Sequence, residues 1–168
     1  MRVLDAGVVV DLLVGRLDDT ALGEEEAGGP HLLDSEVTSV LRRLVLRGDL
    51  TVEQGDAAMA RFGQLDLERF PADWLRPRMW DLREDMTAYD ATYVALTEAV
   101  GATALLTTDA RPAGAPGLRC TGAWFERQDT ATGSASVKPV RGIAVQTGCR
   151  RIRAATSPRS RNQACSWR

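Results

Sequence analysis

The first 127 residues of this 168-residue chain contain no lysine, and the whole chain has one histidine, His31. A G-x-x-x-x-G-K-[ST] phosphate loop needs its lysine, so nucleotide binding of that kind is excluded. There is no G-x-S-x-G motif, and the residues around His31 supply no partners for a catalytic triad. We expect His31 to be structural, which leaves carboxylates as the remaining catalytic groups.

Cysteine and long apolar runs are also scarce. The three cysteines, Cys120, Cys149 and Cys165, form no C-x-x-C pair and no cluster with histidine, so neither a disulfide framework nor a zinc site is indicated. No run approaches 18 apolar residues, and Asp5 interrupts the segment where a signal peptide would be apolar. We therefore expect a cytoplasmic protein with reduced thiols and no membrane association.

The net charge of −2 combines two dissimilar segments. Residues 1–127 hold 13 arginines and 22 acids, a net charge of −9, whereas residues 128–168 hold eight basic residues and one acid, a net charge of +7. The second segment has few large apolar side chains to offset the entropy of ordering it. We predict a folded domain over 1–125 and a basic, disordered tail over 126–168, which is either an RNA-binding arm or, as we favour, an extension without function.

The first half of the domain shows alternating signals. A short strand ending at Asp5 precedes a helix over 7–15, and the polar, glycine-rich segment 17–30 is typical of an exposed loop. An amphipathic helix begins near Leu33 and ends at Gly48. A capping box, Thr51-x-x-Gln54, then predicts the start of another helix.

The second half continues the alternation. We predict a strand over 65–70, a helix over 74–85, a buried helix over 91–100, a strand over 104–108 and another over 118–120. On the buried helix, Tyr89, Tyr93, Leu96 and Val100 share one apolar face and Ala91, Ala95 and Ala99 another. Strands alternating with helices predict an α/β fold with a mostly parallel central sheet.

Four acids lie where this fold brings elements together. Asp5 and Asp109 end strands, and the carboxyl ends of parallel strands meet at one edge of a sheet. Glu36 and Asp90 lie at the beginnings of helices. Each acid also has a structural explanation, since Asp5 can cap a helix, Glu36 can complement a helix dipole, Asp90 can form a capping box with Thr87, and Asp109 can start a turn. Their joint occurrence favours a functional cluster.

The stretches that carry these acids resemble a known family. They are VLDAGVVVDLL (3–13), HLLDSEVTSVLRRLVLRG (31–48), MTAYDATYVAL (86–96) and LLTTDAR (105–111). In this order and spacing they resemble a PIN-domain ribonuclease toxin of the VapC type, over roughly residues 1–124. The resemblance implies a PIN-like three-layer sandwich, with a short, mostly parallel central sheet flanked by helices.

The same resemblance implies a function. It implies the toxin of a type II toxin–antitoxin system, an endoribonuclease whose acids Asp5, Glu36, Asp90 and Asp109 bind Mg²⁺ or Mn²⁺, with Asp5 and Asp90 as direct ligands. It also implies a cognate antitoxin and a homodimer. At Gly7 the chain departs from the small hydroxyl residue that is frequent in the family, which puts a hydrogen bond in question but not the metal site.

Physical chemistry agrees with an acidic metal centre. Crowded carboxylates repel one another unless a cation compensates them, and a hard divalent ion prefers oxygen ligands. Such an ion activates water for attack on a phosphodiester without histidine or lysine. Two alternatives stay open: a PIN-like module that binds RNA or protein without cleaving, and a nuclease directed at DNA.

Basic side chains follow Glu36 along its helix. Arg43 and Arg47 lie on the side of Glu36, with Arg42 adjacent, so they are candidates to hold RNA phosphates; a solvated helix face is the equal alternative. Arg83 and Arg111 are weaker candidates for the same role.

The charge of −9 over residues 1–127 favours a basic partner. An antitoxin that places arginine or lysine among the four acids would neutralise them and exclude metal. Apolar segments around Leu12, Leu13, Leu44 and Leu46 are candidates for the groove that receives its helix, unless they belong to the core or to a dimer surface.

Overall fold

The computed structural model describes residues 1–109 and 122–124. These residues form five strands and five α-helices, together with two short 3-10 helices at Asp19–Leu22 and Asp73–Leu75. The strands are β1 (Arg2–Leu4), β2 (Ala27–Pro30), β3 (Leu67–Phe70), β4 (Ala104–Thr107) and β5 (Gly122–Trp124). The helices are α1 (Ala6–Leu13), α2 (Leu32–Leu46), α3 (Val52–Phe62), α4 (Arg76–Asp81) and α5 (Ala88–Ala99).

All five strands are parallel, in the order β3-β2-β1-β4-β5. The chain therefore moves from β1 to one side and then crosses over to build β4 and β5 on the other. Because crossovers are right-handed, the helices of these two halves cover opposite faces of the sheet. The order reverses between β1 and β4, which is where open α/β sheets bind their ligands. The predicted α/β sandwich is confirmed.

β1 is the centre of the core. Val3 and Leu4 point to opposite faces of the sheet, and both are completely buried. Leu105 and Leu106 of the neighbouring β4 are buried in the same way. Burial on both faces is the pattern of a strand covered by helices on each side.

Most predicted elements are confirmed within a few residues. α1, α2, β3 and β4 form at the predicted places. The capping box of α3 is complete: Thr51 N–H donates to Gln54 Oε1 at 2.8 Å, and Gln54 N–H donates to Thr51 Oγ1 at 3.2 Å. The capping residues predicted the start of the helix correctly because their hydrogen bonds are formed within one turn of the chain.

The predicted loop over 17–30 is wrong at its end, where β2 lies between β1 and β3. Its residues, Ala-Gly-Gly-Pro, have the composition of a turn. Gly29 is required by packing, because a Cβ there would lie 2.8 Å from Leu33 Cδ2 and 3.3 Å from the Leu4 carbonyl oxygen. The start of α2 therefore packs directly on a strand that has no side chain at this position.

Two helix predictions need correction. The helix predicted over 74–85 is a 3-10 turn followed by α4, and it ends at Asp81 because the chain then turns around the buried Leu82. α5 begins earlier than predicted, at Ala88, and its continuously buried segment is 91–97. Tyr89, predicted to share its buried face, is 65% exposed, and Ala99 is exposed as well.

Two other predictions, the strand over 118–120 and the disordered tail over 126–168, fall outside the described residues. Within 1–109 and 122–124, no helix has the length and apolar character needed to span a bilayer.

Candidate active site

Asp5 follows β1 and caps α1, so the predicted structural role of Asp5 is confirmed. Its Oδ1 accepts the Val8 N–H at 2.8 Å, which fixes the first turn of the helix. Its Oδ2 accepts the Thr107 hydroxyl and, at 3.2 Å, the Thr108 N–H. Burial raises the pKa of Asp5, and these hydrogen bonds oppose that rise only in part.

Glu36 reaches the same edge from α2. Its Oε2 accepts the Tyr93 hydroxyl of α5 at 2.5 Å. Burial raises the pKa of Glu36, the bond from Tyr93 opposes the rise, and the charges of Asp5 and Asp90 add to it. The carboxylates of Asp5 and Asp90 therefore both lie close enough to Glu36 to disfavour its charged form.

Asp90 lies in the first turn of α5, behind the cap residue Thr87. The Thr87 hydroxyl accepts the Asp90 N–H at 3.2 Å and donates to the Asp90 carboxylate at 2.8 Å. The predicted capping interaction is therefore present, with the hydroxyl rather than the N–H of Thr87 contacting the acid. Asp90 remains partly exposed and belongs to the group that raises the pKa of Glu36.

Asp109 lies two residues beyond β4, at the end of the sheet where Asp5 lies. Thr107 joins the two positions, since its hydroxyl donates to Asp5 and accepts the Asp109 N–H at 2.9 Å. Thr107 is 1% exposed. Thr107 was not predicted as a site residue. It could have been, because it is a hydroxyl residue two positions before an acid at the end of a buried strand.

Gly7 is packed against Thr108. A Cβ at Gly7 would lie 2.0 Å from the Thr108 hydroxyl oxygen and 3.3 Å from an Asp5 carboxylate oxygen. The absence of a side chain at position 7 therefore leaves room for the Thr108 hydroxyl, which comes just after the neighbouring strand β4.

The donor set fits a hard divalent cation. Within the described residues no salt bridge involves Asp5, Glu36 or Asp90. The groups around them are carboxylate and hydroxyl oxygens, which suit Mg²⁺ or Mn²⁺ rather than a soft metal. No three acidic, histidine or cysteine side chains in 1–109 and 122–124 are grouped closely enough to hold one ion together. Mg²⁺ keeps several waters and takes only one or two carboxylates directly, so a site for it does not require three such side chains on one ion.

The arginines predicted to hold RNA differ in their partners. Arg42 and Arg43 are exposed on α2 and have no ion pair among the described residues. Arg47 pairs with Asp49 at 3.0 Å. Of the weaker candidates, Arg83 stacks on the Trp80 ring, with its guanidinium carbon 5.2 Å from the ring centre, and Arg111 falls outside the described residues.

Of the alternatives for the apolar segments (antitoxin groove, core or dimer surface), the core is correct for three of the four leucines. Leu12, Leu13 and Leu44 are buried, because α1 packs against α2 and removes these side chains from solvent. Leu46, near the end of α2, is 68% exposed and is the one member of that set on the surface.

Comparison with known proteins places this arrangement in a family. No family model matches the chain. Ribonuclease VapC1 of Mycobacterium tuberculosis (strain ATCC 25618 / H37Rv) is 42% identical over 127 residues, covering 70% of this chain and 92% of the relative. VapC ribonuclease Mb0985 of Mycobacterium bovis (strain ATCC BAA-935 / AF2122/97) is 40% identical over 114 residues, covering 66% of this chain and 87% of the relative.

Solved structures agree on the fold. VapBC2 from Rickettsia felis, crystallised with a DNA fragment from its promoter, matches with a TM-score of 0.56 and 12% identity, over 74% of this chain and 98% of that one. PAE2754 from Pyrobaculum aerophilum matches with a TM-score of 0.50 and 20% identity, over 67% of this chain and 82% of that one. The chain belongs to the VapC ribonuclease family.

Proposed function

We propose that this protein is the toxin of a type II toxin–antitoxin pair, an endoribonuclease that hydrolyses RNA phosphodiester bonds with Mg²⁺ or Mn²⁺. The observation that carries the proposal is the cluster of Asp5, Glu36 and Asp90, uncompensated by any described cationic side chain, at the point where the strand order reverses. The relatives at 40–42% identity are named ribonucleases, which is the chemistry that such a cluster supports.

The site residues divide into two roles in this proposal. Asp5 and Asp90 hold the ion directly, while Glu36 and Asp109 orient the waters that the ion retains. Thr107 keeps Asp5 and the backbone of Asp109 in register. A bound divalent ion supplies an acidified water and a positive charge beside the scissile phosphate.

The test is incubation of the purified protein with total RNA, with and without Mg²⁺ or Mn²⁺, followed by mapping of the new RNA ends. We expect new ends at defined sites only when metal is present. Binding of RNA without cleavage under every metal condition would favour the alternative, a non-cleaving PIN-like module. Matched RNA and DNA oligonucleotides identify the sugar, and preferential cleavage of DNA would contradict the proposal.

We propose that RNA phosphates are held by the α2 arginines that follow Glu36. Arg43 lies two turns along α2 from Glu36, and Arg42 is its neighbour; both are exposed. Arg47 contributes less, because its guanidinium is engaged by Asp49.

We propose a basic antitoxin segment as the protein partner. Residues 1–127 carry a net charge of −9, and one of the structural relatives is a VapBC assembly. Arginine or lysine inserted among the site acids would take the position of the metal. Co-purification with a small protein encoded beside this one, and release of RNA cleavage when that protein is removed, is the expected result.

Two further proposals concern assembly and the tail. We propose a homodimer, to be tested by light scattering of the purified protein.

We also propose that residues 126–168 are dispensable, so truncation after Arg127 should leave RNA cleavage intact. A large loss of cleavage in the truncated protein would instead identify the tail as an RNA-binding arm.

A further inference from the structure

Tyr93 joins the two helices that carry site acids. It lies on α5 one turn after Asp90, and its hydroxyl donates to Glu36 of α2 across 57 residues of sequence. The bond is 2.5 Å long, and the tyrosine is only 5% exposed. A side chain three positions after Asp90 projects from the same face of the helix, so one helix face supplies both Asp90 and the donor to Glu36.

The position of the Tyr93 hydroxyl is set by the core. α5 packs against β1, β2 and β4, and the residues that flank Tyr93, Thr92 and Val94, are buried. Glu36, in contrast, is partly exposed and lies on a helix whose neighbouring positions 34 and 35 face solvent. A carboxylate on a long side chain loses substantial freedom when it is held in one position. Here a rigid donor holds a flexible acid.

Tyr93 is the only side-chain donor to the Glu36 carboxylate among the described residues. Hydrogen bonds to charged groups are short and strong, and the hydrogen-bond partners of the carboxylates around a metal centre determine where those carboxylates point.

We propose that Tyr93 is a positioning residue of this site: its hydroxyl holds the Glu36 carboxylate beside Asp5 and Asp90, in the place where it can help to bind a divalent cation. The inference rests on the proposed function, because it assigns Tyr93 a role at the same metal centre. It concerns where Glu36 points, and it does not place Tyr93 in contact with the ion.

The test is Mn²⁺ binding to the Tyr93→Phe variant of the full chain, measured by isothermal titration calorimetry without RNA. Phenylalanine keeps the buried ring and removes only the hydroxyl. We expect Mn²⁺ affinity to fall by a few-fold, less than the roughly 10-fold or more that is lost when the partner of a direct metal ligand is removed, because Glu36 acts through the waters that the ion retains. Tyr89→Phe is the matched control, because Tyr89 is exposed on the same helix; we expect it to bind Mn²⁺ like the unmodified protein.

A double-mutant cycle separates positioning from a general structural effect. In the Glu36→Gln background, Tyr93→Phe should cause little further loss of Mn²⁺ affinity, because the carboxylate that it positions is gone. Equal losses in both backgrounds would overturn the inference, as would unchanged affinity in Tyr93→Phe. If the unmodified protein cleaves RNA and binds Mn²⁺ while Tyr93→Phe behaves identically, only the inference fails. If the unmodified protein binds no Mn²⁺, the proposed metal site fails and the inference with it.

A second measurement does not depend on the folding of Tyr93→Phe. The chain contains two tyrosines, so Tyr93 is the only tyrosine left in Tyr89→Phe. With ¹³C-labelled tyrosine, its ring carbon bonded to the hydroxyl should shift when Mg²⁺ binds, and the additional change Glu36→Gln should abolish that shift. A signal that does not respond to Mg²⁺ bound by the protein would overturn the inference.

Discussion

An acid lies at each end of the central strand β1, and the two acids have their pKa values shifted in opposite directions. At the amino end, Glu25 accepts hydrogen bonds from the Thr103 hydroxyl at 2.6 Å, the Arg2 side chain at 3.0 Å and the amino group of Met1 at 3.1 Å. The bond from Thr103, followed by that from the amino terminus, lowers the pKa of Glu25 to about 2. At the carboxyl end, the hydrogen-bond donors that Asp5 meets among the described residues are neutral, and burial raises its pKa.

The two ends of β1 differ in whether a positive charge accompanies the acid, and this has consequences for stability. An acid that meets a fixed cation is a structural element, and at this surface its contribution is small. Carboxylates gathered without such a cation cost stability in the empty protein, and that cost is offset only when something positive arrives. The contrast therefore agrees with the proposal that a cation binds at the carboxyl end of β1.

The largest difference in RNA cleavage should appear when one acid at each end of β1 is replaced in turn by its amide. Asp5→Asn should reduce metal-dependent RNA cleavage by at least about 100-fold, because it removes a proposed metal ligand. Its melting temperature in EDTA should fall only moderately, because the amide NH2 cannot accept the hydrogen bonds that one carboxylate oxygen accepts, while removal of a buried charge offsets part of that loss. Glu25→Gln is the matched control and should cleave RNA normally. Equal activity of both variants would break the comparison.

Metal binding should stabilise the folded protein through the acids at the carboxyl end of β1 and not through Glu25 at the amino end. Mn²⁺ at about 100 times its dissociation constant should stabilise the unmodified protein by about 2.7 kcal/mol, because it binds the folded state only. Thermal melting with and without Mn²⁺ measures this gain. Asp5→Asn and Asp90→Asn should lose it, whereas Glu25→Gln should keep it. A gain in Asp90→Asn equal to that of the unmodified protein would argue against a role for Asp90 in holding the ion.

Charge next to the site should matter for RNA. Arg42→Ala combined with Arg43→Ala should weaken RNA binding and flatten its dependence on salt, by about 0.7 in the logarithmic slope for each phosphate of single-stranded RNA that is no longer neutralised. Arg47→Ala should have a smaller effect, because Asp49 already engages Arg47. Fluorescence anisotropy over a salt series, in a cleavage-defective background, gives both slopes. An unchanged slope in the double variant would assign these arginines to the solvated surface.

The smallest effect concerns the amino end. Since the pKa of Glu25 lies at about 2 in the folded protein, below its usual 4.5, its ionised form stabilises the fold above pH 4.5. That stabilisation is lost as the pH falls from 4.5 towards 2. Glu25→Gln should therefore lower the melting temperature slightly at pH 7, and the difference should vanish near pH 2. Glu24→Gln, at the exposed neighbouring acid, should change neither value.

Signals confined to one turn or one strand were readable from the sequence. The capping residues Thr51 and Gln54 and the apolar strand β4 fall into this class. β2 could not be predicted, because its glycines are explained only by contacts between distant parts of the chain: Gly29 is crowded by Leu33 of α2, and Gly28 by the Glu68 carbonyl of β3. The four acids were singled out from their places at strand and helix ends, and the resemblance gave them a role; in the structure, the charges of Asp5 and Asp90 both raise the pKa of Glu36.

The partners of those acids were beyond the reach of sequence patterns. The bond from Tyr93 to Glu36 spans 57 residues, and the one from Thr107 to Asp5 spans 102. No periodicity or local spacing connects residues so far apart, since such pairs arise only when the sheet order is known. Tyr93 was correctly predicted as part of a buried helix face, but the hydrogen bond from its hydroxyl to Glu36 was not predicted.

The span between Asp5 and Thr107 has a consequence for synthesis. A ribosome makes β1 first, yet β1 gains its last neighbour, β4, only after residue 104 has been added. Pairings between distant parts of a chain form late, and here they complete the acidic site. A growing chain therefore carries Asp5 for most of its synthesis without the hydroxyl and amide that hold it. For a nuclease made beside messenger and ribosomal RNA, this order of assembly delays the ability to cut until almost the whole domain has emerged.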